Sequence, residues 1–191
     1  MVAGHDHDEP TVREALESGN AEVRARALGA AERAGLRTVS VRVAALRDPS
    51  AEVRRRAARL EARRPRASRR VELALRACLD DADPLVVVAA ADALGESASG
   101  DAVPELSGIA VRHPDPRCRE AAVAALGSLG AADGLDAVLA ALDDKPAVRR
   151  RAVVALAAFD SPLVDAALER ACGDRDWQVR QAAEALRDSG R

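Results

Sequence analysis

Aromatic side chains are nearly missing from this chain, which has no tyrosine, one phenylalanine (Phe159) and one tryptophan (Trp177) in 191 residues. Nucleobases are gripped by stacking on aromatic faces, so base readout is excluded and only contact with a phosphate backbone is left. Cysteine is sparse too: Cys78, Cys118 and Cys172 stand far apart, with no Cys-x-x-Cys. Isolated thiols at apolar helix positions predict buried small hydrophobes in a reducing compartment, not a disulfide frame or a zinc site. No long charge-free apolar run occurs, and none follows Met1. That predicts a cytoplasmic protein with neither leader nor membrane span. Also absent are Gly-x-x-x-x-Gly-Lys-Ser/Thr, Gly-x-Ser-x-Gly and His-Glu-x-x-His, and no Ser or Cys has an evident His partner. Catalysis needs convergent groups, so no catalytic residue, metal or cofactor is expected. His5-Asp-His-Asp-Glu9 contains ligand types, but it sits in a short polar stretch that predicts a solvated, disordered tail over residues 1–9.

What is present is a period. Val23, Val53, Val86, Cys118, Val148 and Val179 are anchors spaced 30, 33, 32, 30 and 31 residues apart. Arg follows the anchor in five copies, as Arg24, Arg54, Arg119, Arg149 and Arg180; the third copy has Val87 there. Alanine recurs four residues after the anchor, at Ala27, Ala57, Ala90, Ala122, Ala152 and Ala183. A repeat of this length means a solenoid, propeller or array. Three residues before the anchors stand Asn20, Ser50, Asp83, Asp115, Lys145 and Asp176, five of them good helix N-caps. Pro84, Pro116 and Pro146 follow at the first helical position, where the missing N–H costs nothing. Ahead of each cap lies a second run with apolar residues three and four apart, such as Leu135, Val138, Leu139 and Leu142. That spacing is helical, and no stretch alternates as a strand would. Each repeat is therefore a pair of antiparallel helices, with turns expected near residues 19, 49, 82, 114, 145 and 175.

Asp81–Gly95 and Asp143–Leu156 together read Asp-x-Asp-Pro-x-Val-Arg-x-x-Ala-x-x-Ala-Leu-Gly. This resembles the consensus of HEAT repeats, of the short type named after phycobilisome chromophore lyases. The resemblance implies an all-α, right-handed α-α superhelix (a HEAT/armadillo-like solenoid) of about six helix pairs. The repeats are placed at 10–34, 36–64, 68–98, 101–130, 133–159 and 161–188 as a single array. It also implies that the second helices line a concave surface. A chromophore-lyase-like or enzyme-accessory role is implied by the namesake alone, since function is argued from a site rather than a fold.

Five residues before the anchors come Ser18, Asp48, Asp81, His113, Asp143 and Asp174. Their register predicts a ladder in which Asp48, Asp143 and Asp174 pair with anchor-following arginines such as Arg54, Arg149 and Arg180. The net charge of −2 hides segregation, because residues 51–70 carry nine Arg against Glu52 and Glu61. Val53, Ala57 and Leu60 mark the buried stripe there. Arg55, Arg56, Arg59 and Arg63 fall on the opposite face, which the resemblance turns into the groove. Arginine grips carboxylate and phosphate bidentately. Val88 and Asp92 of the next repeat and Arg150 and Arg151 of the fifth share that face. Leu85–Ala91, apolar where sister repeats carry charge, either packs under something or is a contact patch. Trp177 is expected to pack as an end cap. The functional expectation is a monomeric, non-enzymatic scaffold that binds a protein or acidic peptide through its concave surface. Weak binding of nucleic-acid backbone through the arginines is the alternative.

Overall fold

The structure, a computed structural model, describes residues 9–64, 67–97 and 100–189. The expected tail lies outside these residues except for Glu9, which opens the first helix. Among the described residues there are twelve α-helices and no strand. The first helices of the pairs are α1 (Glu9–Leu16), α3 (Val39–Leu46), α5 (Arg69–Ala77), α7 (Val103–Arg112), α9 (Leu135–Ala140) and α11 (Pro162–Ala171). The second helices are α2 (Ala21–Arg33), α4 (Ala51–Glu61), α6 (Pro84–Glu96), α8 (Pro116–Leu129), α10 (Pro146–Ala155) and α12 (Trp177–Asp188).

Local chemistry sets the start of each second helix. Asn20, Asp83, Asp115 and Asp176 accept from the backbone N–H two residues on, at 2.8–2.9 Å. Ser50 and Lys145 make no side-chain cap. Apolar side chains from both helices of each pair then fill one continuous core, in which Leu28, Leu75, Leu94, Leu106, Leu126 and Leu156 are almost wholly out of water. The second helices pack on each other more closely than the first helices do. Glycine and alanine make this possible: a Cβ at Gly95 would lie 2.8 Å from Ala125 Cα, and one at Gly127 would lie 2.9 Å from Ala155 Cα. A tight inner row beside a looser outer row curves the stack toward its second helices. That places the concave face on α2, α4, α6, α8, α10 and α12.

Arginine clips tie the layers together. Arg24 donates Nη1 to the Ser18 and Gly19 carbonyls of its own turn, at 2.8 and 3.2 Å, while Nε and Nη2 grip both oxygens of Asp48 in the next layer. Arg54 does the same with the Asp48 and Pro49 carbonyls and the Asp81 carboxylate. Arg119 bridges to Asp144, and Arg149 to Asp174. The fifth layer departs from the register read in the sequence. Asp143 is exposed and lies 3.9 Å from Arg170, while its neighbour Asp144 takes the clip. The cause is the length of the turn. Asp48, Asp81 and Asp174 each accept from the N–H two residues later, but Asp144 accepts from the adjacent Lys145 N–H at 2.6 Å. One residue of turn is thus lost, and the rung moves one place on.

The third layer has no clip. Val87 is fully buried where the arginine would stand, and in the facing Asp slot His113 Nδ1 accepts from Asp115 N at 3.1 Å. The two departures match: a layer without the arginine faces a layer without the carboxylate. The run Leu85–Ala91 is accordingly core, with Val86, Val87, Ala90 and Ala91 all completely buried. At the far end, Arg180 holds its own turn at the Asp174 and Arg175 carbonyls.

The clips make stability depend on acid. Arg24, Arg119 and Arg149 hold Asp48, Asp144 and Asp174 below the usual carboxylate range. At Asp81 burial pushes upward, and the bonds from Arg54 and Asp83 N–H outweigh it. A carboxylate depressed in the folded state contributes stability that is complete above its unfolded pKa of about 4. That contribution is lost as pH falls through the lower folded value. Unfolding midpoints in urea should therefore stay level from pH 7 to about 5 and drop steeply below about 4. Asp144→Asn should flatten the drop, and an identical acid profile in that variant would remove the clips as its cause.

Candidate partner-binding groove

The concave face is built from positions two, three, six and ten residues after each anchor. On α4 these are Arg55, Arg56, Arg59 and, just beyond the helix, Arg63; the last three are exposed and Arg55 is half-buried. On α2 the same positions hold Arg26 and Arg33, also exposed, together with Gly29. Layers one and two thus present six arginines on one surface. Their pairing separates them from the arginines that hold the fold. Those arginines are bonded to carboxylates: Arg24, Arg54, Arg119 and Arg149 in the clips, and Arg37, Arg42 and Arg64 around α3 and the end of α4. Of the groove six, only Arg26 has an ion pair among the described residues, with Glu22 at 2.5 Å.

The middle of the groove is acidic. Asp92 is solvent-accessible yet flanked by protein on the concave floor, and this crowding raises its pKa against the pull of Arg151 and Arg59. Glu120 lies 3.7 Å from Arg151. Val88 is half-buried and packs against the core, so it offers little surface. The exposed valine of the groove is Val154, at 52 %. With Arg151 it lines two open depressions of about 430 and 460 Å³, one between α8 and α10 and the other between α10 and α12. Arg150 and Gln181 border the second. Read from end to end, the groove is cationic, then acidic, then apolar beside Arg150 and Arg151.

The model of the family described as HEAT repeats matches residues 39–111 and 103–187. The chain belongs to the HEAT-repeat family. No curated protein matches it. Among solved structures, this HEAT-repeat chain is similar to a designed armadillo repeat protein in complex with the peptide (KR)4, at 20% identity, with 96% of this chain and 100% of that one covered and a TM-score of 0.66. It is similar also to computationally designed armadillo repeat proteins for modular peptide recognition, at 21% identity, 94% and 98% coverage and a TM-score of 0.65. A third is the complex of CpcE and CpcF of phycocyanin lyase from Nostoc sp. PCC7120, at 24% identity, 95% and 76% coverage and a TM-score of 0.67. At these identities the likeness is one of fold.

Several features of this HEAT array escape a sequence reading. Glu61 occupies the slot that holds Leu94, Leu126 and Leu156 in later repeats, and its side chain is 1% exposed. It accepts from Arg37 Nη2 and from Arg42 Nε and Nη2. Glu32 ties Arg37 to Arg64, at 2.6 and 2.8 Å. The leucine slot was the available signal. Trp177 is 60 % exposed rather than packed at the end of the stack. Cys78 and Cys118 donate Sγ to the Leu46 and Pro84 carbonyls, and burial pushes each thiol up to about 11. Among the described residues no helix is long and apolar enough to cross a membrane.

Proposed function

We propose that this HEAT-repeat protein is a non-enzymatic scaffold whose concave groove binds an extended acidic segment of a protein partner. The observation that carries the reading is the set of groove arginines that have no ion pair among the described residues: Arg33, Arg55, Arg56, Arg59 and Arg63. A charged side chain left unpaired beside like charges destabilises the free protein and favours an opposite charge in the complex. The designed armadillo neighbour is in complex with the peptide (KR)4, which is basic. In this chain the wall formed by α2 and α4 is cationic, which favours a peptide of the opposite charge. The Val154 shelf with Arg150 and Arg151 extends the footprint toward the C-terminal layers, and Asp92 between the two favours an uncharged or basic residue of the segment at that point. The same reading takes the chain as a monomer acting without cofactor.

The test uses an N-acetylated hexaglutamate peptide, a hexaarginine peptide and oligothymidylate as probes, titrated by calorimetry. Hexaglutamate should bind and hexaarginine should not. Replacing Arg55, Arg56 and Arg59 with Glu should abolish binding, because each lost charged contact typically costs a few kcal/mol. Helicity and melting temperature should stay near wild type, since none of the three belongs to the buried core. Unchanged affinity in the triple variant would move the site to the Arg150–Arg151 face. Tighter binding of oligothymidylate, with affinity falling steeply in salt, would replace the peptide reading by phosphate-backbone binding.

A further inference from the structure

We infer that Arg33 and Arg56 form an anion seat over Gly29 on the groove floor, which takes a carboxylate side chain of the acidic peptide. This rests on the groove reading above and assigns its strongest contact. Six residues after the anchor, later layers place a side chain in the groove: Arg59 on α4, Asp92 on α6 and Val154 on α10. On α2 that position is Gly29, with no side chain, yet it is buried. What covers it is charge. From the point where a Cβ would sit, Arg56 Nη2 is 3.2 Å away and Arg33 Nη1 is 3.7 Å away. Two guanidinium groups from adjacent layers therefore converge over one glycine.

The two carboxylates of α2 are already engaged, Glu22 by Arg26 and Glu32 by Arg37 and Arg64. Arg33 and Arg56 have no ion pair among the described residues. Two like charges held this close repel unless an anion lies between them. The planar fork of arginine matches the two oxygens of a carboxylate. The clips of this same molecule show the pairing, since Arg24, Arg54, Arg119 and Arg149 all take an aspartate with Nε and Nη2. The acidic peptide supplies from outside what the clips supply from the next layer.

Gly29→Asp tests the seat from within. The helix accepts Asp at this position, as Asp92 shows on α6, and the atoms nearest the new Cβ are ends of flexible side chains. The new carboxylate should fill the seat, leave the melting temperature level or higher, and weaken hexaglutamate binding about tenfold or more. Arg33→Gln with Arg56→Gln should weaken it similarly, with helicity unchanged. Inorganic phosphate is titrated into the same proteins. Hexaglutamate affinity equal to wild type in Gly29→Asp, with binding still lost in the Arg55, Arg56 and Arg59 triple variant, would refute the seat and leave the groove reading standing. Failure of wild type to bind hexaglutamate at all would overturn the groove reading itself. Phosphate binding that depends on Arg33 and Arg56, without hexaglutamate binding, would make the seat a phosphate site and overturn the carboxylate assignment.

Discussion

Glu61→Leu is expected to lower stability by about 3–5 kcal/mol, although leucine is what the equivalent position holds in three later layers. The reason lies in what the substitution leaves behind. Arg37 and Arg42 both donate to Glu61, and the Arg37 and Glu61 side chains are each only 1% exposed. Without the carboxylate, two guanidinium groups remain in a site that water barely reaches, and Glu32 compensates Arg37 alone. A drop in melting temperature of roughly 2–4 °C per kcal/mol follows for a chain of this size. Calorimetric melting would read it, and the loss should be concentrated in the first two layers. Adding Arg37→Met and Arg42→Met to Glu61→Leu should recover most of it, since buried ion networks exchange for well-packed apolar groups at little net cost. A single Glu61→Leu variant as stable as wild type would show that the network contributes nothing.

Gly127→Val should disrupt the middle of the stack. A Cβ at Gly127 would stand 2.7 Å from Ala155 Cβ and 2.9 Å from Ala155 Cα. The second obstacle is backbone, which cannot swing aside, so α8 and α10 must move apart. Overpacking of this kind costs about 1–3 kcal/mol and sometimes more. Against it stands a helix-propensity gain below about 1 kcal/mol on replacing glycine. Gly100→Ala is the matched control, because nothing lies within 4 Å of a Cβ there. Equal urea midpoints for Gly127→Val and Gly100→Ala would mean that the inner row is looser than its geometry states.

The period, the helix pairs and the buried stripe were legible in the sequence because a solenoid repeats one local solution, and each copy reports on the others. Asp143 shows the limit of reading by register. A turn shortened by one residue carries the rung to Asp144, and two adjacent aspartates look alike until backbone geometry separates them. Glu61 could have been read from its leucine slot, but a glutamate in an arginine-rich stretch passes for a surface ion pair. The arginines of α4 could be placed on one face by spacing alone. Arg33, Arg26 and Gly29 could not be joined to them, since that needs two layers brought side by side.

Val87 and His113 give the molecule a seam. At the four other junctions a bidentate arginine fixes how far one layer is turned against the next, and turning it breaks two bonds at once. Between α6 and α8 other contacts stand in for the clip: a valine meets the space beside a histidine, Cys118 Sγ donates to the Pro84 carbonyl, and Gly95 rests on Ala125, while on the outer row Arg76 and Arg69 of α5 pair with Glu105 and Asp101. The arginine wall lies on one side of this seam and the Val154 shelf on the other. At this junction the angle between layers is set from the outer row, by Arg76 on Glu105 and Arg69 on Asp101, instead of at the turns.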